Sequence, residues 1–379
     1  MHVSELELIN FRSYKKKTVK FNEGINILLG PNGQGKTNII EAIIYLSTLM
    51  SHRGSLNNAL IYKDQESFYI RSKLFKNNNQ IDLDVNFSSV RQFEARINRS
   101  STRRGRDILG LCVAVIFSPE DLSLIKGNPE GRRNFLDVLI TQLMPRYIQE
   151  KADYEKILKQ RNALLKSVMY SQKITASVTN TLDLWDEQLA TVGTRVIASR
   201  IKLIKKLLPY VDNFYSEVSA KQIPLKIMYK TNISNNYLNI DETLDSFDIK
   251  KLILEKIASI KNKEIERGIS LVGPHLDDII FVLNNLPVKG YASHGETWSF
   301  ALSLRLASFK LLKENLNDDP ILLLDDVFAE LDDSRREQIL SLINETEQVI
   351  ITSAVRKDIP SILKANYIKL DNGEIYYDN

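Results

Sequence analysis

Alternating apolar and polar residues predict several strands in the first 125 residues of the chain. A short buried-type strand, GINILLG, precedes KTNIIEAIIYLSTL, in which apolar residues recur at helical spacing. Another buried-type strand ends at the Ser-Pro of LGLCVAVIFSPEDL. The alternating segments, which are typical of an antiparallel sheet, are LELINF, SFYIRSKLF, IDLDVNF and EARINRS.

Helical periodicity replaces the strand pattern from residue 126 to about 215. Apolar residues fall near one face over 147–170 and again over 182–208, and polar SQKITASVTNT separates the two segments. This spacing predicts an antiparallel helical hairpin, with each helix about 35–40 Å long at 1.5 Å per residue. PLKIMYK then predicts a strand, and DIKKLILEKIASIKNKEIERG predicts a helix that ends at Gly268.

Strand patterns return from about residue 269. DDIIFVLNNLPVKGYAS and NYIKLDNGEIYY predict hairpins, ETWSFALSLRLASFKLLKEN predicts a long helix, and PILLLDDV and QVIITSA are typical of buried parallel strands. We therefore predict an α/β fold with a mixed sheet split by an inserted helical arm. The predicted domains are the N-terminal half of a head at 1–125, the arm at 126–265 and the C-terminal half of the head at 266–379.

Composition narrows the class of protein without identifying it. The chain has 379 residues, of which 43% are hydrophobic and 26% are charged, as in ordinary folded proteins. Its one cysteine, Cys112, excludes an internal disulfide framework. No apolar run approaches the roughly 18 residues that a membrane helix needs, and MHVSELELIN lacks the features of a secretion signal. We expect a cytoplasmic protein that is not bound to a membrane.

Residues 30–37, GPNGQGKT, fit the phosphate-loop pattern G-x-x-x-x-G-K-[ST] between a predicted strand and a predicted helix. The glycines allow backbone N–H groups to approach phosphate oxygens, and the helix N-terminus adds a partial positive charge. We expect Lys36 to reach the β and γ phosphates of ATP, and Thr37 to bind Mg²⁺. The candidate nucleotide-binding residues are Gly30, Pro31, Asn32, Gly33, Gln34, Gly35, Lys36, Thr37 and Asn38.

A phosphate loop requires an acidic partner at the end of a neighbouring strand, and ILLLDD supplies one. Asp325 is placed to hold Mg²⁺ through water, and Asp326 to orient or polarise the attacking water. With Lys36 they form the predicted catalytic set. Because 289 positions separate Lys36 from Asp325, the sequence predicts one ATPase head interrupted by an insertion.

A second anion-binding pattern precedes the long C-terminal helix at Ser293-His294-Gly295-Glu296. Since the phosphate loop already binds one set of phosphates, we expect Ser293, Gly295 and Glu296 to contact the γ-phosphate of ATP on a second chain. An ATP-dependent homodimer follows. A plain helix N-cap is the alternative. Thr352 and Ser353, which end another predicted strand, offer hydroxyls for a γ-phosphate or its water.

Basic residues are concentrated in two segments. Residues 126–210 carry 15 Lys/Arg against 8 Asp/Glu, and residues 91–106 carry six Arg and one Glu. Such clusters favour contact with a nucleic-acid backbone, and solvated loops are the alternative. Aromatic residues are not interleaved with them, which favours duplex DNA over single strands. The candidate DNA contacts are Arg103, Arg104, Arg106, Arg132 and Arg133, with Lys202, Lys205 and Lys206 near the return of the arm.

With these motifs in this order, the chain closely resembles the RecF family of bacterial recombination-mediator ATPases, which are related to SMC heads. The resemblance rests on LELINFRSY, GPNGQGKTN, FSPEDLSLIKGNPEGRRNFLD, GPHLDDIIF, ASHGETWSFALSLRLA and LLLDDVFAELDDSRR, which span nearly the whole chain. It implies an ABC/SMC-type P-loop ATPase head that uses ATP and Mg²⁺. It also implies weak, DNA-stimulated ATP hydrolysis and dimerisation on ATP. Duplex, gapped or junction DNA is the implied ligand, and the implied role is loading of RecA with RecO and RecR in DNA repair at the nucleoid.

Two alternatives stay open. One is an SMC-like structural ATPase of chromosome maintenance, although a hairpin of about 90 residues is short for a coiled-coil arm. The other is a DNA-binding scaffold with a vestigial ATP site, against which the intact phosphate loop and acid pair argue. One departure from the family stands out, because Leu276 follows Gly273-Pro274-His275 where an arginine is usual. If that arginine contacts DNA or relays the nucleotide state, this chain has a weaker or different relay.

Overall fold

The computed structural model describes residues 1–54, 56–90, 93–102, 105–173, 175–219, 221–234, 246–329 and 331–377. The strands are β1 (His2–Phe11), β2 (Tyr14–Lys20), β3 (Gly24–Leu29), β4 (Ser67–Lys76), β5 (Asn79–Ser88), β6 (Glu94–Ile97), β7 (Ser100–Ser101), β8 (Ala114–Phe117), β9 (Leu225–Lys230), β10 (Asp278–Leu283), β11 (Leu286–Pro287), β12 (Ile321–Asp325), β13 (Gln348–Ser353), β14 (Asn366–Asp371) and β15 (Glu374–Tyr377). The helices are α1 (Lys36–Thr48), α2 (Leu122–Lys126), α3 (Pro129–Leu143), α4 (Tyr147–Ser171), α5 (Ala176–Ser219), α6 (Ser246–Arg267), α7 (Val288–Tyr291), α8 (His294–Leu316) and α9 (Asp333–Asn344).

A mixed sheet in the order β15-β14-β3-β13-β12-β8 forms the centre of the head. Its neighbours run parallel except for the β14–β15 hairpin. Every residue of β12 is buried, as the aliphatic run predicts, and α1 and α8 pack against this sheet. The strands from both ends of the chain therefore end at one edge, where Thr352 of β13 lies opposite Asp325 of β12.

The alternating N-terminal segments form an antiparallel sheet in the order β2-β1-β4-β5-β6-β7, as predicted. One face supplies core residues such as Leu6, Phe68 and Ile70. Opposite charges meet across the strands on the other face, where Arg71 lies 3.2 Å from Glu7 and 3.8 Å from Asp84. Such cross-strand pairs stabilise the register of the sheet.

The arm contains α4, α5 and α6, and its second helix is longer than predicted. The sequence pattern suggested residues 182–208, whereas α5 has 44 residues and includes Pro209. At 1.5 Å per residue it is about 66 Å long rather than 35–40 Å. Proline often ends a helix because it breaks the helical hydrogen-bond ladder, but α5 continues through Pro209. Burial of Val211 and Tyr215 beyond it, with Tyr215 against Phe300 of α8, continues the helix into the head.

A small sheet of β9, β10 and β11 lies where the arm meets the head. β9 pairs antiparallel with β10 over six residue pairs, and β10 turns into β11 at Asn284 and Asn285, both at positive φ. The pairing joins residues on either side of position 265. The domain limits at 125 and 265 stay predictions. Among the helices that the structure describes, none is long and apolar enough to cross a membrane.

Candidate nucleotide-binding and catalytic site

The loop between β3 and α1 is shaped by glycines that no other residue can replace without strain. Gly33 and Gly35 have φ of +84° and +91°, in the left-handed region. A β-carbon on Gly35 would lie 2.5 Å from the Tyr14 hydroxyl, and one on Gly30 would collide with the Leu370 carbonyl oxygen. The loop therefore presents bare backbone at the N-terminus of α1, as a phosphate cradle requires.

Lys36 folds back over this loop. Its ammonium donates to the carbonyl oxygens of Gly30 at 2.7 Å and Pro31 at 3.1 Å, and the side chain is 3% exposed. Burial lowers the pKa of Lys36, and the negative charges of Asp326 and Asp325 oppose that effect. The ammonium thus lies at the loop with both predicted acids near it.

Residues outside the motif support the loop from the β1–β2 turn. The Tyr14 hydroxyl donates to the Gln34 carbonyl oxygen at 3.2 Å, and the Asn38 amide donates to Ser13 Oγ at 2.9 Å. Gln34 Oε1 also accepts from the Gly373 N–H. Sequence reasoning used Ser13 and Tyr14 only as part of a family resemblance. No spacing rule links them to residues 34–38, because the contact forms only when the sheet and the loop pack together.

The two predicted halves of the active site meet at Thr37 and Asp325. Thr37 Oγ1 donates to Asp325 Oδ1 at 3.0 Å, across 288 positions of sequence. Asp325 is 4% exposed, and burial raises its pKa, an effect that hydroxyl donors from Thr352 and Thr37 oppose. The fold therefore brings together the residues that the motif and the ILLLDD strand nominated.

Asp326 follows in a conformation that few residues other than glycine adopt. Its φ is +51°, its side chain is half-buried, and its N–H donates to Thr352 Oγ1 at 2.9 Å. Asp325 stays at the buried strand end, while Asp326 is more accessible.

Glu120 is a third acidic residue near this edge, and sequence reasoning did not single it out. It is exposed and lies just after β8, which is parallel to β12 and ends opposite Leu324. Its negative charge contributes to the raised pKa of Asp325. The sequence signal for Glu120 was its position in SPEDL, shortly after a buried parallel strand.

Mg²⁺ suits the side chains at this edge. Threonine and aspartate supply the hard oxygen ligands that Mg²⁺ prefers. Asp325 accepts hydrogen bonds from two hydroxyls and forms no ion pair with any residue that the structure describes. A buried carboxylate without a direct ion pair is costly, even with the Lys36 ammonium nearby. Thr37 and Asp325 are therefore the residues that would hold the ion.

The Ser293 motif caps α8 at the surface. Ser293 Oγ accepts from the Glu296 N–H at 3.2 Å, and Glu296 Oε2 accepts from the Ser293 N–H at 2.9 Å. This capping box is the alternative that the sequence left open. Ser293 and His294 are exposed, so the cap faces solvent, and a contact with a second chain stays a prediction. In the described part of the chain, no hydrogen bond joins Ser293, Gly295 or Glu296 to residues 30–38.

Arg335 links this motif to the segment after the acid pair. Its guanidinium donates to the Gly295 carbonyl oxygen at 2.8 Å and to Ser299 Oγ at 3.1 Å, and it pairs with Asp332, the N-cap of α9. The start of α8 and the start of α9 are therefore held together within one chain.

Comparison with known proteins identifies the family. Residues 2–367 match the family model described as RecF/RecN/SMC N terminal domain. The DNA replication and repair protein RecF of Streptomyces avermitilis is 42% identical, and that of Beutenbergia cavernae is 41% identical, each over 99% of both chains. The chain belongs to the RecF family.

Solved structures agree with this assignment. A structure of the recombination mediator protein RecF-ATP in the RecFOR pathway has a TM-score of 0.90 and 30% identity, covering 100% of this chain and 97% of that one. An Smc head bound to the C-winged helix domain of ScpA has a TM-score of 0.51 at 14% identity, covering 100% and 98%. The second likeness concerns the fold alone. The predicted ABC/SMC-type head with an inserted helical arm is confirmed.

The DNA contacts predicted for this RecF-family chain need one correction. Arg132 is 4% exposed, and its guanidinium pairs with both carboxylate oxygens of Asp278 at 2.7 and 3.0 Å. A buried, bidentate arginine joins α3 to β10 and is not available to DNA in this conformation. Arg133 is half-buried and donates to the Asp277 carbonyl oxygen. Arg106 is half-buried, and Arg103 and Arg104 lie outside the described residues.

Leu276, at the position where the resemblance predicts an arginine, lies in a firmly held turn. The Pro274 carbonyl oxygen accepts from Arg200, the His275 ring hydrogen-bonds with Tyr154, and Leu276 N–H donates to the Gly273 carbonyl oxygen. The Leu276 side chain itself is 46% exposed. The substitution thus changes a surface group without removing the contacts that hold the turn.

Proposed function

We propose that this chain is an ATP-dependent DNA-binding protein of recombinational repair that dimerises on ATP and hydrolyses it slowly. The observation that carries the proposal is the hydrogen bond between Thr37 and Asp325. It completes a phosphate loop with its acidic partner although 288 positions lie between them. A vestigial ATP site would not need this arrangement to persist beside an accessible second acid.

Each site residue has a separate task in the proposed reaction. Backbone N–H groups of residues 30–37 bind phosphate oxygens, and the Lys36 ammonium turns from the Gly30 and Pro31 carbonyl oxygens to the phosphates. Mg²⁺, held by Thr37 and Asp325, would neutralise charge on the phosphate oxygens. Asp326 orients the attacking water. Because aspartate is one methylene shorter than glutamate, it holds that water less directly, and turnover takes minutes.

Slow hydrolysis suits a switch rather than a motor. ATP held between two chains favours the dimer by mass action, and the Ser293 motif of one chain would contact the γ-phosphate bound by the other. Hydrolysis then releases the dimer. The proposed DNA ligand is duplex, gapped or junction DNA, bound through its backbone by basic residues of both chains.

The proposed partners are inferred from the names of related proteins and not from contacts in this structure. The curated relatives are named for DNA replication and repair, and a solved relative is described as a recombination mediator in the RecFOR pathway. We extend that role to this chain, with RecO and RecR as partners and RecA loading as the outcome. An SMC-like structural role remains the alternative from the same superfamily.

ATP turnover with and without duplex DNA tests the proposal, with Lys36→Met as the inactive variant and Lys357→Met, an exposed lysine of the head, as its control. We expect slow hydrolysis that DNA stimulates, lost in Lys36→Met and kept in Lys357→Met. Lys36→Met removes the one cation at the described loop and leaves the backbone donors. Normal turnover by Lys36→Met would show that hydrolysis occurs elsewhere, and no turnover by the wild type would favour a scaffold.

A further inference from the structure

Thr352, at the end of β13, touches both acids of the candidate site. Its hydroxyl donates to Asp325 Oδ1 at 2.7 Å and accepts from the Asp326 N–H at 2.9 Å. The side chain is 1% exposed. A hydroxyl has one proton, and here that proton is directed to Asp325. In this structure the Thr352 hydroxyl therefore bonds both acids, whereas the sequence suggested that it would serve a γ-phosphate or its water.

One of these hydrogen bonds fixes the side chain of Asp325, and the other fixes the backbone of Asp326. The bond to Asp325 fixes a carboxylate that also accepts from Thr37 at 3.0 Å, so two hydroxyls define where Oδ1 lies. The bond from the Asp326 N–H fixes a backbone at φ +51°, which costs free energy for a residue other than glycine. A strained turn persists only where its surroundings hold it, and Thr352 supplies such a contact.

The next residue extends this connection to the phosphate loop. The Ser353 carbonyl oxygen accepts from the Gly30 N–H at 3.3 Å, and β13 lies between β3 and β12 in the sheet. The end of β13 thus contacts both the first residue of the loop and the acid pair. Any nucleotide bound by the loop would be set relative to the two acids through this strand.

We propose that Thr352 is a positioning residue for ATP hydrolysis, which sets Asp325 and Asp326 relative to the phosphate loop without touching the nucleotide. The inference rests on the proposed ATPase function. Valine has nearly the shape of threonine but neither donates nor accepts, so Thr352→Val removes both hydrogen bonds and leaves the packing. Serine retains both hydrogen bonds and loses one methyl group.

The experiment compares wild type, Thr352→Val and Thr352→Ser with Thr194→Val as a matched control. Thr194 is also buried, and its hydroxyl donates to the Ala190 carbonyl oxygen within α5, away from the site. Four measurements are made on each protein: kcat, KM, ATP binding in EDTA, and the Mg²⁺ concentration that half-saturates the stabilisation of the ATP-bound protein against heat.

We expect kcat of Thr352→Val to fall at least tenfold, about 1.4 kcal/mol, with KM and ATP binding in EDTA within about twofold of wild type. Its half-saturating Mg²⁺ concentration should rise several-fold, since Asp325 is less fixed. Thr352→Ser should restore most of both properties, and Thr194→Val should alter neither.

Three results would overturn the inference. Wild-type kcat in Thr352→Val would show that the hydroxyl is not needed, and an equal loss in Thr352→Ser would assign the effect to packing. Loss of ATP binding in EDTA by Thr352→Val, with a lowered melting temperature, would assign Thr352 a structural role. A wild type without turnover defeats the proposed ATPase itself, whereas the Mg²⁺ titration still tests the contact with Asp325.

Discussion

At the scale of single residues, Asp277 and His275 respond to pH in opposite directions although they are two positions apart. Asp277 accepts from the Tyr229 and Thr231 hydroxyls at 2.7 and 2.8 Å, and burial raises its pKa to about 6 from 3.8. Burial lowers the pKa of His275 to about 4 from 6.5. On acidification through this window, folded Asp277 binds a proton that the unfolded chain does not bind, so stability rises. His275 binds one only when unfolded, so stability falls.

Asp277→Asn should therefore make the protein more sensitive to acid. In wild type, protonation of Asp277 adds to the free energy of unfolding as pH falls through about 6 towards 3.8. The variant loses this stabilisation and keeps the opposing effect of His275. Between pH 6 and 5 this removes about 1 kcal/mol of the free energy of unfolding relative to wild type. Urea unfolding at pH 7, 6 and 5, followed by tryptophan fluorescence, measures it. Asp64→Asn, at an exposed position, is the control, and equal pH slopes in wild type and Asp277→Asn would contradict the assignment.

The sequence predicted those site residues whose geometry is set by their neighbours along the chain. The loop from Gly30 to Thr37 was predictable because its geometry is encoded by neighbours in sequence. Asp325 and Asp326 were predictable because a buried aliphatic run that ends in two acids marks the C-terminal end of a strand. Thr352 was expected to offer its hydroxyl to a γ-phosphate or its water. The structure shows a contact that the sequence did not predict, with both acids, since the register of β13 against β12 decides its partner. Sequence patterns do not contain that register.

At the scale of elements, one buried arginine holds the arm together. Arg161 of α4 is 1% exposed, and its guanidinium donates to Asp186 of α5, Glu264 of α6 and Ser270 at 2.6 to 2.7 Å. Three helices and the segment that returns to the head thus share one cation. Breaking such a network strands buried charges, which costs more than the network itself contributes.

Arg161→Met should lower the free energy of unfolding by about 3–5 kcal/mol, because Asp186 and Glu264 lose their buried partner. Adding Asp186→Asn and Glu264→Gln should recover part of this loss. Lys159→Met, on the exposed face of the same helix, should change stability by less than about 0.5 kcal/mol. Chemical denaturation of the four proteins tests the expectation, and a loss below about 1 kcal/mol in Arg161→Met would mean that the charges are solvated.

Periodicity in the sequence predicted the order and type of the helices and strands better than it predicted where they end. Strands and helices appeared where alternation or helical spacing was regular, including the β14–β15 hairpin at Asn372-Gly373. The length of α5 was missed because local propensity at Pro209 opposed a helix that packing against α8 continues. Tertiary contacts, rather than propensity, decide such ends.

At the scale of the whole molecule, the exposed cap of α8 gives a test of dimerisation. Ser293→Arg places a bulky cation where the γ-phosphate of a second chain's ATP is proposed to lie. We expect it to abolish the ATP-dependent rise in mass seen by light scattering while the monomer still binds ATP. Ser361→Arg, at another exposed serine of the head, should dimerise normally. A wild type whose mass does not change with ATP would refute the arrangement.

The surface offered to DNA must be drawn from residues that the fold leaves exposed. With Arg132 buried, Lys202 and Lys206 of α5 stay accessible among the predicted contacts, and Arg195 of the same helix is also exposed. Intervals of seven and four residues place them on one face of a helix. This stripe extends along the arm towards the head. A dimer would present two such stripes, which is why DNA binding should need ATP.

Lys202→Glu with Lys206→Glu should reduce affinity for duplex DNA in the presence of ATP at least tenfold, about 1.4 kcal/mol. Because each backbone contact releases counterions, the double variant should also show a salt dependence smaller by about two in log–log slope. Filter binding across a range of salt concentrations measures both.

Lys357→Glu with Lys364→Glu makes the same charge change at exposed lysines of the head and should bind like wild type. If the two double variants weaken binding equally, net charge rather than the stripe governs affinity. If neither does, residues 91–106 become the candidate, since they are the other basic segment of the sequence.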